Sequence, residues 1–108
     1  MEDCLFCKIV NKKVASDIVL EDDSIIIFKD INPKADVHLL IVLKKHIESV
    51  EHLVEEDKEL ISQMIFAAQK IARQIGVAKN GYKLQFNVGR DGGQIIDHIH
   101  LHLIANVK

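Results

Sequence analysis

The stretch "DHIHLHLIANVK", residues 97–108, sets histidine at every second position, His98, His100 and His102, with Ile99 and Leu101 between them. Side chains on a β-strand alternate between its two faces, so residues two apart project the same way, about 6.6 to 6.8 Å from one another. Read as a strand, the segment turns three imidazoles to one side and Ile99, Leu101 and Leu103 to the other. The apolar row calls for a core, and the histidine row for a use other than packing.

The rest of the chain supplies that core. "VHLLIVL" (37–43) is too apolar to lie half-exposed and predicts a central strand carrying one further histidine, His38. "DIVLED" and "SIIIFKD" flank the acidic turn at Asp22 and Asp23 and read as a hairpin of β-branched residues. "YKLQFNV" follows the "KNG" turn and leads through "GRDGGQ" to the histidine strand, where Gly89, Gly92 and Gly93 should leave backbone N–H groups free to approach a ligand. Between the third and fourth strands the period changes. Leu60, Met64, Ala67, Ala68, Ile71 and Ile75 trace one face of a long helix, with Asp57 as its N-cap and Gly76 as its stop. "CLFCKIV" predicts a short opening helix with Leu5, Phe6, Ile9 and Val10 at helical spacing. The expectation is one α+β domain over residues 1–108: a five-stranded antiparallel sheet, one long helix and a short N-terminal helix.

Lys and Arg (14) and Asp and Glu (16) are interleaved along the 108 residues, for a formal net charge of -2. No basic stripe exists to neutralise a run of phosphates, so a nucleic-acid polymer is not expected as a partner. The longest apolar runs are strand-sized, and "MEDCLFC" lacks the charged and apolar regions of a secretory signal, which predicts a cytoplasmic protein without a membrane span.

From spacing alone the histidine row has three readings: a metal site, polar decoration of an exposed sheet face, or nucleophilic catalysis in which one imidazole attacks an electrophile while its neighbours move protons. The glycine-rich segment immediately before it favours the third. Cys4 and Cys7 likewise have three: half of a zinc site completed by histidines, a redox dithiol, or two unpaired buried thiols.

"HIHLHLI" (98–104) resembles the H-φ-H-φ-H-φ-φ signature, φ being apolar, of the histidine-triad family of nucleotide hydrolases and transferases. "FCKIVNKK", "EDDSIIIFKDINPKADVHLLIVLKKHI" and "NGYKLQFNVGRDGGQ" extend the resemblance over most of the chain, in the expected order, to the Hint-type branch in its bacterial C-x-x-C version. The resemblance implies that His100 is the nucleophile. It would attack the α-phosphorus of a purine nucleoside 5′-phosphoramidate or related nucleotide and form a nucleotidyl-imidazole that water hydrolyses. His102 would bind a phosphate oxygen or assist the leaving group, and His38 would position the triad. Because His100 must be neutral to attack, activity should fall on acidification through about pH 6.5.

The same resemblance places Phe6, Ile9, Phe28, Ile31 and Leu40 around the base, Asp30 on the ribose hydroxyls, and Asn87, Gly93 and Gln94 on the phosphate and leaving-group side. A carboxylate can accept from both hydroxyls of a cis-diol at once, although opening the "DINP" turn would also account for Asp30. By resemblance Cys4 and Cys7 would join His46 and His98 in a closed, structural zinc site, and two copies would form a homodimer with sheets joined edge to edge. Two positions depart from the pattern. Ile95 stands where Hint-type relatives carry a serine or threonine, and no Trp-containing C-terminal tail follows the triad. The competing activities are dinucleoside-polyphosphate hydrolysis and nucleotide binding with weak catalysis.

Overall fold

The computed structural model describes residues 3–107. The chain runs through α1 (Leu5–Val10), β1 (Ile18–Glu21), β2 (Ile25–Lys29), β3 (Val37–Leu43), α2 (Lys58–Ile75), β4 (Lys83–Gln85) and β5 (His100–Ala105). The strands form one sheet in the order β1-β2-β3-β5-β4, antiparallel throughout. This is the α+β architecture the periodicities predict.

Alternation along the three inner strands sorts residues between two layers. Ile25 and Ile27 of β2, Leu39, Ile41 and Leu43 of β3, and Leu101 and Leu103 of β5 pack with Met64, Ala68, Ile71 and Ala72 of α2. The opposite face presents Ile26, Phe28, Leu40 and Val42, and α1 covers part of it through Phe6 and Ile9. His38 shares the second face with Leu40 and Val42, and β3 pairs there with β5 in the register Leu40↔His102 and Val42↔His100. The α2 layer is a continuous apolar core; the α1 layer covers only part of its face and leaves a cavity beside it.

Four expectations need correction. His98 lies before β5, not within it. The chain bends there because the Ile99 N–H donates to the Ile47 carbonyl at 2.7 Å. The long helix is preceded by 3₁₀ turns at Val50–His52 and Glu55–Asp57. Asp57 does not cap α2 with its side chain; its buried carboxylate accepts the Val54 N–H at 3.0 Å and Lys45 Nζ at 2.7 Å. Leu5 and Ile75, predicted to lie on buried faces, are exposed. Gly76 ends α2 in the left-handed conformation (φ 85°), with the cap N–H bonded to the Ala72 carbonyl, as predicted.

Candidate active site

A cavity of about 440 Å³ opens on the α1 face of the sheet, within the range of small-ligand sites. Three of its walls are strands. Phe28 comes from β2, His38 and Leu40 from β3, and His100, His102 and Ile104 from β5, with Phe6 and Ile9 of α1 as the roof. Asp30 and Ile31 in the turn after β2 and Asn87 and Gly93 in the loop before β5 complete the set expected from the sequence, with one exception. Gln94 is buried and does not line the cavity. Its Nε2 donates to the carbonyls of Glu48 (2.7 Å) and Ile96 (2.9 Å), and its Oε1 accepts the Gly89 N–H (2.9 Å).

The glycine N–H groups are also committed elsewhere. Gly89 donates to Gln94, Gly92 to the Gly89 carbonyl and Gly93 to the Arg90 carbonyl, because residues Arg90–Gly92 wind into a 3₁₀ turn. Gly93 is held to glycine by φ 85°. Asn87 lines the cavity while its Nδ2 ties down the Gly92 carbonyl at 2.7 Å. The sequence reading missed Gln85, which pairs with His102 across β4 and β5 and therefore points into the cavity. The period-2 alternation of "YKLQFNV" carried that signal.

Hydrogen bonds fix the histidine tautomers. The Lys34 N–H donates to His38 Nδ1 at 3.1 Å, so in neutral His38 the proton is on Nε2. That Nε2–H points at His102 Nδ1, 2.9 Å away, which leaves the His102 proton on its own Nε2. His100 Nδ1–H donates to the His98 carbonyl at 2.7 Å, so its Nε2 carries a lone pair. The two rings sit 4.9 Å apart. One unprotonated nitrogen and one N–H donor are thus set side by side.

Burial is the main cause of depressed basicity in all three rings. It lowers His38 and His100 below the ordinary imidazole value, and His102, which also faces His38 and His100, to about 4. The contact of Asp30 Oδ2 with His38 Nε2 at 3.3 Å is therefore a dipolar one between a carboxylate and a neutral ring. Asp30 Oδ1 accepts the Asn32 N–H at 2.9 Å, closing an Asx turn. Asp30, His38 and His102 lie close enough for a cation, but the proton that the Lys34 N–H places on His38 Nε2 makes the trio a hydrogen-bond relay instead of a chelate.

A second cluster does fit a metal. Cys4 caps α1, its Sγ accepting the Cys7 N–H, and Cys4, Cys7, His46 and His98 bring four donor atoms within 4.8 Å of one another. Nδ1 of His98 lies 3.3 Å from Cys4 Sγ, 3.5 Å from Cys7 Sγ and 3.1 Å from His46 Nδ1, which is 3.2 Å from Cys7 Sγ. A tetrahedral zinc ion with usual bond lengths spaces such donors by about 3.3 Å (N···N) and about 3.5 Å (S···N). His98 Nε2–H donates to the Leu43 carbonyl at 2.6 Å, which keeps the Nδ1 lone pair aimed into the cluster. Burial, with Cys4 beside it, pushes the Cys7 thiol up to about 11, and burial pushes His98 down to about 4.

Comparison with known proteins gives the family and the fold. Residues 3–108 match the family model described as "Scavenger mRNA decapping enzyme C-term binding". The chain is 42% identical over 104 residues, 96% of its length and 87% of the relative's, to the purine nucleoside phosphoramidase of Escherichia coli K12. The crystal structure of a HIT family hydrolase from Legionella pneumophila superposes with a TM-score of 0.95 at 42% identity, covering 98% of this chain and 95% of that one. A zinc-bound histidine triad family protein from Mycobacterium smegmatis superposes with a TM-score of 0.87 at 27% identity, covering 99% and 77%. With the family-model match spanning nearly its whole length, the chain belongs to the histidine-triad family of hydrolases.

Proposed function

We propose that the protein hydrolyses purine nucleoside 5′-phosphoramidates through a covalent intermediate on His100. The observation that carries this reading is the tautomer pair, an Nε2 lone pair on His100 beside an Nε2–H on His102, both at the cavity wall. The lone pair attacks the α-phosphorus; the His100 N–P bond forms as the P–N bond to the amine breaks. As the substrate binds, the negative charge of its phosphoryl oxygen favours uptake of one solvent proton by His102; the imidazolium gives its Nε2 proton to the departing amine nitrogen as the P–N bond breaks and returns to the neutral ring. Water then attacks phosphorus while the neutral His102 takes its proton, the His100 N–P bond breaks, and the nucleoside monophosphate leaves. In the resting site the His38 Nε2–H donates to His102 Nδ1, which holds that ring with its Nε2–H toward the cavity.

Phe28, Leu40, Phe6, Ile9 and Ile31 grip the flat face of a purine, and Asp30 Oδ2 accepts from the ribose hydroxyls while Oδ1 keeps its turn. Lys29 and Lys34 line the nucleoside side of the cavity, whereas Gln85, Asn87, Gly93 and Ile95 on the far side bring no cation. An amine leaving group suits that wall better than the nucleoside phosphate of a dinucleoside polyphosphate. Cys4, Cys7, His46 and His98 hold a structural zinc ion, which ties α1 to the segment leading into β5. The protein acts in the cytoplasm, where the thiols stay reduced, as a homodimer. The exposed Ile65 and Phe66 of α2 and the short edge strand β4 offer the surfaces for its two-fold.

The test is to supply adenosine 5′-phosphoramidate and a diadenosine polyphosphate to the purified protein and follow release of AMP. Turnover of the first well above the second is expected; micromolar binding of both with no turnover would mean a nucleotide-binding protein instead. The acid limb of kcat/KM should lie below pH 6.5, lower than the unperturbed imidazole value suggests. The rings must be neutral before substrate binds, and a depressed pKa keeps them so as the pH falls through the ordinary range. A limb centred at or above 6.5 contradicts the burial argument. Asp30→Asn, which preserves the Asx turn, should raise KM about tenfold or more for the ribonucleotide and little for its 2′,3′-dideoxy analogue. Equal losses on both would remove Asp30 from the ribose.

A further inference from the structure

Ile95 is 81% exposed at the rim of the cavity, an unusual place for a large apolar side chain to stand without cover. It does not stand alone. Leu5, at the start of α1, and Ile96 line the same cavity, and all three also border the adjoining depression that reaches Cys4 and His46. Together they form an apolar saddle between the two hollows.

In-line displacement by His100, which projects from the floor of the sheet, sends the leaving group away from that floor and out toward the rim. The nucleoside cannot use the saddle, because the residues that suit it, Phe28, Asp30 and Leu40, belong to β2, β3 and the turn between them. Ile95 and Ile96 belong to the loop that enters β5 at its His100 end and Leu5 to the first turn of α1, whereas the Asp30 N–H bonds to the carbonyl of His38, which pairs with Ile104 toward the opposite end of that strand. Beyond the saddle the depression is bordered by Asp3 and Glu48, which oppose an anionic group, and by Asp97, whose charge is balanced by Arg90. We propose that Ile95, with Leu5 and Ile96, selects substrates whose leaving amine carries an apolar body over those that release ammonia or an amine bearing a carboxylate. This rests on the phosphoramidase reading and adds the class of leaving group to it.

The test compares kcat/KM for three adenosine 5′-phosphoramidates: unsubstituted, N-benzyl and N-carboxymethyl. Benzylamine and ammonia are closely matched in basicity, so a difference between them reports contact and not intrinsic leaving ability. The benzyl substrate should exceed the unsubstituted one by about tenfold, the scale of a modest apolar contact in a pocket, and the carboxymethyl one should fall below both. Ile95→Ala, which removes the surface without adding a hydroxyl, should erase most of the benzyl advantage through KM, and Ile95→Val should retain most of it. Turnover of all three with equal efficiency, or a benzyl advantage that Ile95→Ala leaves intact, would overturn the selectivity and leave the phosphoramidase reading standing. No turnover of any of the three would overturn both.

Discussion

Replacement of His100 by alanine is expected to lower kcat by about four orders of magnitude or more, with the fold and nucleotide binding retained. The size follows from what is lost. Without the imidazole no group on the cavity wall offers an unprotonated nitrogen to phosphorus, and the two-step path reverts to direct attack by water. His100 sits on the half-open α1 face, so truncation removes little of the core. Intact mass spectrometry of the wild-type protein, quenched during turnover of adenosine 5′-phosphoramidate, should show a nucleotidyl adduct that is missing from His100→Ala. A variant that still turns over within tenfold of wild type would remove covalent catalysis through this residue.

The second large effect is on stability. Cys7→Ala should cut the metal content from about one zinc per chain to near zero and lower the melting temperature by more than about 10 °C. A structural zinc site contributes apparent binding energies of about 10 kcal/mol or more in small domains, and about 1 kcal/mol moves the melting point of a domain near this size by about 4 °C or more. The four donors come from distant parts of the chain: Cys4 and Cys7 from α1, His46 from the segment after β3, His98 from the approach to β5. Losing the ion therefore loosens the attachment of the roof over the cavity. With the Cys7 thiol pushed up to about 11 in the absence of metal, zinc must displace its proton, so uptake should weaken as the pH is lowered. Protein supplied with zinc that binds none, or a Cys7→Ala variant that melts with the wild type, would show that the cluster is only a set of buried thiols and imidazoles.

The sheet was legible because residues 25–29 and 37–43 are strand-length runs of Ile, Leu, Val and Phe bounded by turn residues, and 100–105 opens on a histidine-leucine alternation. The placement of His100 and His102 was legible because a strand that buries Leu101 and Leu103 leaves only one direction for the imidazoles. The lining of the cavity was readable only by resemblance, since nothing in the spacing of Phe6, Phe28 and Leu40 says that three elements converge. Loop hydrogen bonding was not readable at all. Gln94 finds the Glu48 carbonyl across the whole of α2, and a side chain amide in sequence looks the same whether it meets a phosphate or a backbone. His98 continued the two-residue rhythm past the true end of the strand, because periodicity reports side-chain type and cannot detect the Ile99 to Ile47 hydrogen bond that bends the chain.

The sheet order has a further consequence for how such a protein diversifies. β5 lies between β3 and β4, so His100 and His102 rise from a strand paired with β3 along its length, with β4 from His102 onward, and packed beneath by α2. Any exchange that disturbs that strand imperils the whole domain. Ile95, by contrast, stands on a surface loop whose shape is already secured by Gln94 and by the Arg90–Asp97 ion pair, and its side chain supports nothing below it. If the proposed selectivity holds, drift at that position would redirect which amines are released and leave the histidines of the strand untouched.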